Sequence, residues 1–204
     1  QPSDIWRWHL TANAPESSDF SFTLEGLQSS INADLANVLG NFVNRVTKFC
    51  ASRFDGKVPE GGDLTELETD CRAKVAELIG EIDRELEAMN FRKAAEAMLA
   101  LWVAGNEYMQ ASEPWKAMKT DPARAGVAVR FALNLARVSA LVAAPVIPAS
   151  AARILEALGE TGTPVWPDAA GDALLDALAT GQTITPPDIL FRQIEDEDLE
   201  TWRE

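Results

Sequence analysis

Residues 121–144, "DPARAGVAVRFALNLARVSALVAA", place small or apolar side chains on nearly every side of a helix. Asp121 can cap such a helix, and Pro122 suits its first turn because the proline ring already holds a helical φ. A helix that is apolar all round has to be buried on all sides. This segment is therefore predicted to be the central helix of an α-helical bundle.

The rest of the chain supplies helices to surround it. Apolar residues recur every three or four positions, and no alternating strand pattern stands out. The predicted fold class is all-α, an antiparallel helix bundle over residues 1–158 with a C-terminal extension over residues 159–204. The other expected helices cover residues 4–13, about 23–53, about 63–88, 91–110 with Asn90 as the N-cap, a short segment from Pro114, and 148–159 ending at Gly159.

Two of these helices have a clear inner face. The long helix at about 23–53 should bury one apolar stripe, and the next helix should bury another while its many acidic residues face water. The first stripe is Leu24, Leu27, Ile31, Leu35, Val38, Phe42, Val46 and Phe49. The second is Leu64, Leu67, Cys71, Val75, Leu78, Ile82 and Leu86.

The C-terminal extension is less regular. Residues 159–171 are rich in glycine and proline, which is typical of a loop. A weak helix is expected at "DALLDAL" (172–178), and an acidic tail at "EDEDLETWRE" (195–204). At the other end, the sequence opens with Gln and runs straight into a helical pattern, so we expect it to be part of a longer protein.

Charge is segregated along the chain. The net charge is −14, but residues 60–87 carry ten acidic against three basic residues, and residues 151–204 carry twelve against three. The remaining residues carry twelve basic against ten acidic ones. That less acidic part leaves a surface on which a nucleic acid can bind.

Residues suited to catalysis are scarce. His9 is the only histidine, which excludes the HExxH zinc motif and multi-histidine metal sites. Cys50 and Cys71 are too few for a four-cysteine zinc site and are expected to be reduced thiols in or near a helical core. No phosphate-binding glycine motif is present. We therefore expect no catalytic residue, metal or cofactor in this chain.

Neither a basic-then-apolar leader nor an apolar run of bilayer length occurs in the sequence. A cytoplasmic protein without a membrane partner is expected.

Polar residues gather on one flank of the long helix. At about 100° per residue, the side chains that lie together beside the apolar stripe are Asn41, Arg45, Lys48 and Ser52. An amide offers a donor and an acceptor, and a guanidinium offers a planar fork of donors. Such a flank suits a base edge or a phosphate, although Asn–Arg pairs of this kind also occur on helices that only face water.

A tryptophan at a helix start raises a second possibility of binding. "SEPWKAMK" (112–119) places Trp115 directly after Pro114, in a first turn where core partners are scarce. A ring held there is a platform for an unstacked base, unless it only closes the helix start over the core. Trp102, by contrast, lies in the middle of an apolar helix and is expected in the core.

The two features occur together in a known family. "INADLANVLGNFVNRVTKF" (31–49) followed by "NEYMQASEPWKAMK" (106–119) resembles the anticodon-binding domain of methionyl-tRNA synthetases, a helix bundle of the class I synthetases. "RWHLTANAPESSDFSFT" (7–23) is similar to the segment after the family's ATP-handling loop, and "ILFRQIE" (189–195) is similar to the element that closes the domain.

The resemblance implies a role for each candidate residue. Asn41 and Arg45 would contact bases of the CAU anticodon loop of tRNA(Met), Trp115 would stack on a splayed base, and Pro114 would shape the turn. The candidate phosphate contacts are Lys48, Lys116 and Lys119.

The resemblance also implies that the chain is part of an enzyme, a methionine–tRNA ligase, and is inactive alone. The catalytic motifs, ATP and Mg²⁺ would belong to an upstream catalytic domain. The extension at 159–204 would pack both on the bundle and on that catalytic domain.

Two alternatives stay open. One is the anticodon domain of another class I synthetase, such as a cysteinyl, valyl or leucyl enzyme. The other is a non-catalytic helical module that binds a protein through an exposed apolar patch of Ile5, Trp6 and Trp8.

Overall fold

Helix α7 (Pro122–Ala143) lies at the centre of the bundle, as its composition predicts. The computed structural model describes residues 2–16, 19–171 and 173–203. The other helices are α1 (Ser3–Ala12), α2 (Leu24–Ser30), α3 (Asn41–Arg53), α4 (Glu66–Glu87), α5 (Phe91–Ser112), α6 (Pro114–Thr120), α8 (Pro148–Ala157) and α9 (Asp196–Arg203), with a π-helical segment, π1 (Ile31–Gly40), between α2 and α3. The all-α prediction is confirmed.

The burial of α7 follows from its neighbours. It packs against α3, α5, α6 and α8, and from Ala125 to Ala143 only Arg130 and Arg137 are not buried. The Asp121 carboxylate accepts a hydrogen bond from the Arg124 backbone N–H at 3.0 Å, which is the predicted N-cap. Helices α4 and α5, joined by a short turn, pack against each other as an antiparallel pair beside it.

The segments α2, π1 and α3 follow one another without a break and form the predicted long helix. Its middle is π-helical, since the Asn41 N–H donates to the carbonyl of Ala36, five residues earlier. A π-turn holds more residues than the 3.6 of an α-turn, so positions four apart stay on one face. Leu39 therefore takes the core position expected for Val38, which is only half-buried.

The start of α4 differs from the expectation. A capping box of Thr65 and Glu68 begins the helix at Glu66, with the Thr65 N–H donating to the Glu68 carboxylate at 2.9 Å. Leu64 precedes the helix and is 46% exposed, so its predicted inward position is wrong.

Asn90 precedes α5 as its N-cap residue, as predicted, but its side chain does not cap the helix. The Asn90 side chain donates to Glu85 at 2.8 Å and makes no cap hydrogen bond. The carboxylate of Glu16 accepts the backbone N–H of Arg92 at 3.0 Å and satisfies this helix start from a distant part of the chain.

The extension after α8 adds side chains to the same core, among them Leu174, Leu178, Phe191 and Ile194. An antiparallel bridge between Lys57 and Thr183 ties it to the loop after α3. The helix predicted at 172–178 does not form in the described residues, because 173–176 make turns; residue 172 lies outside them. The acidic tail contains α9.

The apolar patch predicted on the first helix is only partly correct. Ile5 and Trp8 are buried, so placing them on the surface was wrong. On and next to α1, the large apolar side chains that are exposed are Trp6, Leu10 and Phe22, and the rings of Trp6 and Phe22 lie 5.9 Å apart. We call these three residues the α1 patch.

Helix α7 is long and apolar enough to cross a membrane by length and composition alone. However, 89% of its most apolar window is buried inside the bundle. The core position of α7 accounts for its composition.

Candidate nucleic-acid interface

The structure brings the two predicted features together. Arg45 on α3 places its guanidinium carbon 5.6 Å from the centroid of the Trp115 ring on α6, in a cation–π contact. Both side chains are half-buried. About seventy residues separate them in the sequence, so only the packing of the long helix beside the α5–α6 junction explains the pair.

The position of Trp115 is fixed by the junction before it. Glu113 adopts a left-handed conformation with φ 40°, which breaks the helical path between α5 and α6. Pro114 is buried at the first position of α6. One part of the Trp115 ring packs against the core while another part stays accessible. The expected partial exposure is confirmed, as is the burial of Trp102; the role of Trp115 in binding stays a prediction.

Asn41 is exposed and held by a residue that the sequence did not single out. Its Nδ2 donates to Oδ1 of Asn106 on α5 at 3.1 Å, and the Asn106 Nδ2 donates to the carbonyl of Val38 at 3.0 Å. Within the described part of the chain, the Oδ1 of Asn41 accepts no hydrogen bond. Asn41 therefore presents an oriented acceptor to solvent. In the sequence, Asn106 is marked only by its place in "NEYMQ", which lies shortly before Trp115.

The three candidate lysines differ. Lys116 forms an ion pair with Glu113 at 2.7 Å, which offsets its charge. Lys48 and Lys119 are exposed, and neither forms an ion pair with the residues that the structure describes. Lys48 and Lys119 therefore remain better candidates for a phosphate contact than Lys116.

A buried network holds the helices on both sides of α6. The Glu68 carboxylate accepts hydrogen bonds from the hydroxyl of Tyr108 on α5 at 2.6 Å and from the guanidinium of Arg124 on α7. Burial favours a higher pKa for Glu68, but the hydrogen bonds from Thr65, Tyr108 and Arg124 outweigh it and lower the pKa. The network ties together the two helices that α6 connects.

The histidine and the two cysteines lie in the core or against it. His9 is buried against Phe20 and Phe22, and its burial lowers its pKa. Cys50 and Cys71 are free thiols, and burial raises the pKa of each to about 11. No group of three or more His, Cys, Asp or Glu residues suited to a metal ion occurs over residues 2–16, 19–171 and 173–203.

Comparison with known proteins gives two family models in succession. Residues 1–47 match the model of class I tRNA synthetases (M), and residues 58–204 match the model described as the anticodon binding domain of methionyl tRNA ligase. Residues 1–47 are therefore similar to class I tRNA synthetases. The second match covers most of the chain: the chain belongs to the family of methionyl-tRNA ligase anticodon-binding domains.

Curated relatives and solved structures agree. The chain is 48% identical to methionine–tRNA ligases of Caulobacter sp. (strain K31) and Ruegeria pomeroyi, over 98% and 100% of this chain and 35% of each relative. It thus spans about a third of their length. The apo methionyl-tRNA synthetase of Mycobacterium tuberculosis superposes with a TM-score of 0.82 at 28% identity, over 94% of this chain and 39% of that one.

Proposed function

We propose that this chain is the part of a methionine–tRNA ligase that binds the CAU anticodon loop of tRNA(Met). The contact of Arg45 with the half-exposed ring of Trp115 carries the proposal. Sequence-specific RNA recognition targets single-stranded loops, whose bases stack on aromatic rings and hydrogen-bond through their edges. A base that stacks on Trp115 lies within reach of Arg45, because the guanidinium already borders the ring.

Asn41 adds base selection to this platform. Its free Oδ1 would accept a hydrogen bond from an exocyclic amine, which cytosine and adenine carry and uracil lacks. Asn106 holds the amide so that the acceptor does not rotate away. Lys48 and Lys119 would neutralise phosphates of the same loop.

An upstream catalytic domain would charge the tRNA, with ATP and Mg²⁺ bound there and not in this chain. The α1 patch supports that arrangement, since Trp6, Leu10 and Phe22 lie in the stretch that matches the class I synthetase model. We propose that this patch, and the extension at 159–204, contact the catalytic domain. The same exposed residues would serve a protein-interaction module, but the match of residues 1–47 favours a contact within one longer chain. The whole enzyme would be cytoplasmic.

Binding of a stem-loop RNA tests the proposal. Trp115→Ala should weaken binding of a CAU stem-loop by about 1–3 kcal/mol, the range for one lost aromatic stack, and should lower the melting temperature only slightly. Trp6→Ala is the matched control, because it removes an exposed ring on α1. It should leave RNA affinity unchanged. Equal binding of CAU and scrambled loops by the wild-type chain would disprove anticodon recognition.

A further inference from the structure

An open groove of about 690 Å³ is lined by Asn41 but not by Arg45. One wall is the long helix, with Asn37, Asn41, Asn44 and Lys48. The other wall is the extension at residues 187–193. The volume falls within the range of about 300–1,000 Å³ typical of small-molecule sites. We call this feature the amide groove.

The helical wall offers polar groups that the fold itself does not use. The side chain of Asn44 is half-buried, and no hydrogen bond to it occurs within the described residues. Lys48 is exposed one turn further along α3. Asn37 has a partner, since its Oδ1 accepts from Gln193 at 2.9 Å across the groove. Asn44 and Lys48 are therefore available to a ligand, while Asn37 joins the two walls.

Hydrogen bonds to its backbone hold the opposite wall in place. Arg153 on α8 donates to the carbonyls of residues 188–190 at 3.2–3.4 Å. Phe191 is buried against Gly40, where a Cβ atom would come within 3.3 Å of the Phe191 ring and 3.0 Å of the Leu35 carbonyl oxygen. Gly40 thus permits the close approach that shapes the groove. Ile189 is 80% exposed on this fixed segment.

We propose that the amide groove binds a second nucleotide of the same RNA loop, next to the one on Trp115. The inference rests on the proposed function, because the groove shares Asn41 with that site. The Asn44 amide would hydrogen-bond the base edge, Ile189 would pack on the base face, and Lys48 would neutralise its phosphate. Residues 187–193 would then contribute directly to RNA binding.

The charge of Asp188 gives the proposal an unusual test. Asp188 lines the groove and is exposed, and Arg153 donates to its backbone carbonyl and not to its carboxylate. The negative charge of this residue would repel an RNA phosphate in the groove. Asp188→Asn should therefore tighten binding of a CAU stem-loop by roughly twofold at low salt, and the gain should shrink as salt rises.

The main experiment measures RNA affinity of the 204-residue chain with Asn44→Ala. The dissociation constant for the CAU stem-loop should rise roughly tenfold, the effect of one good side-chain contact to a base edge. Gln110→Ala is the matched control, since Gln110 is an exposed amide on α5 outside the groove. It should bind as the wild type does. An unchanged melting temperature of Asn44→Ala shows that the loss is not unfolding.

Stem-loops with one abasic nucleotide at each loop position locate the contact. If removal of one base abolishes the affinity loss caused by Trp115→Ala, that base is the one stacked on the tryptophan. The effect of Asn44→Ala should vanish at a different, neighbouring position. If the effects of both variants vanish at the same loop position, or if Asn44→Ala and Ile189→Ala bind with full affinity, the groove proposal is wrong and the proposed function is not affected. Full affinity of Trp115→Ala instead overturns the proposed function.

Discussion

Asn106 ties α5 to the long helix through a single amide. It accepts from Asn41 and donates to the Val38 carbonyl, so removing it leaves Asn41 unanchored. We expect Asn106→Ala to weaken binding of a CAU stem-loop severalfold and to lower the free energy of unfolding by about 0.5–1.5 kcal/mol, the net value of a hydrogen bond.

A double-mutant cycle with Asn41→Ala checks this role for Asn106. The two losses in RNA affinity should be strongly non-additive, because Asn106 acts through Asn41. Additive losses, measured by fluorescence anisotropy with labelled stem-loop, would show that Asn106 contacts the RNA independently or acts only on stability.

Glu68 makes stability depend on pH. Its folded-state pKa lies below the ordinary 4.5, so the stability it provides is present above that value and is lost as the pH falls through the lower folded pKa. Glu68→Gln should cost about 1–3 kcal/mol at pH 7, since buried partners lose a charged acceptor. The difference from the wild type should shrink below about pH 4.5.

Urea unfolding at several pH values measures this difference. Glu66→Gln, two residues earlier and exposed, is the control and should change stability by less than about 0.5 kcal/mol. A gap between Glu68→Gln and wild type that stays constant from neutral to acid pH would contradict the assignment.

Among the helices, α5 and the long helix approach closely at Gly105. A Cβ atom there would lie 2.6–2.8 Å from the ring of Phe42, which is fully buried and has no room to move. Gly105→Ala should therefore destabilise the chain by about 1–3 kcal/mol through overpacking. It should also disturb Asn41, which directly precedes Phe42.

Gly80 in α4 is the matched control for this contact. A Cβ atom at Gly80 meets only the Arg84 guanidinium at 3.9 Å. Gly80→Ala should stabilise the chain by about 0.5–1 kcal/mol, because alanine loses less backbone entropy in a helix. Stabilisation by both variants in chemical denaturation would show that helix propensity, and not packing, dominates at Gly105.

Over the whole molecule, charge limits how RNA binds. The net charge is −14, and few cations are available near the site: Arg45, Lys48 and Lys119, since Lys116 is paired with Glu113. With about three phosphates neutralised, the logarithm of the binding constant should fall with the logarithm of salt with a slope of about −2. A slope of the size seen for strongly basic RNA-binding proteins would mean that the contact surface lies elsewhere.

The sequence by itself determined the all-α class, the central position of α7 and the extent of the long helix, because hydrophobic periodicity and the Asp121–Pro122 helix start are local signals. It also identified Arg45 and Trp115 as candidates. The prediction of a helix at 172–178 was wrong, because turns bury the apolar side chains there against the bundle.

Only the tertiary structure decided which side chains meet. Glu16 accepts a backbone N–H at the start of α5, Asn106 anchors Asn41, and residues 187–193 form the second wall of the amide groove. Each of these contacts joins segments more than sixty residues apart, and helical periodicity says nothing about such distances. The π-helical turns likewise place Leu39 in the core where Val38 was expected. The number of residues per turn there follows from packing and not from local preference.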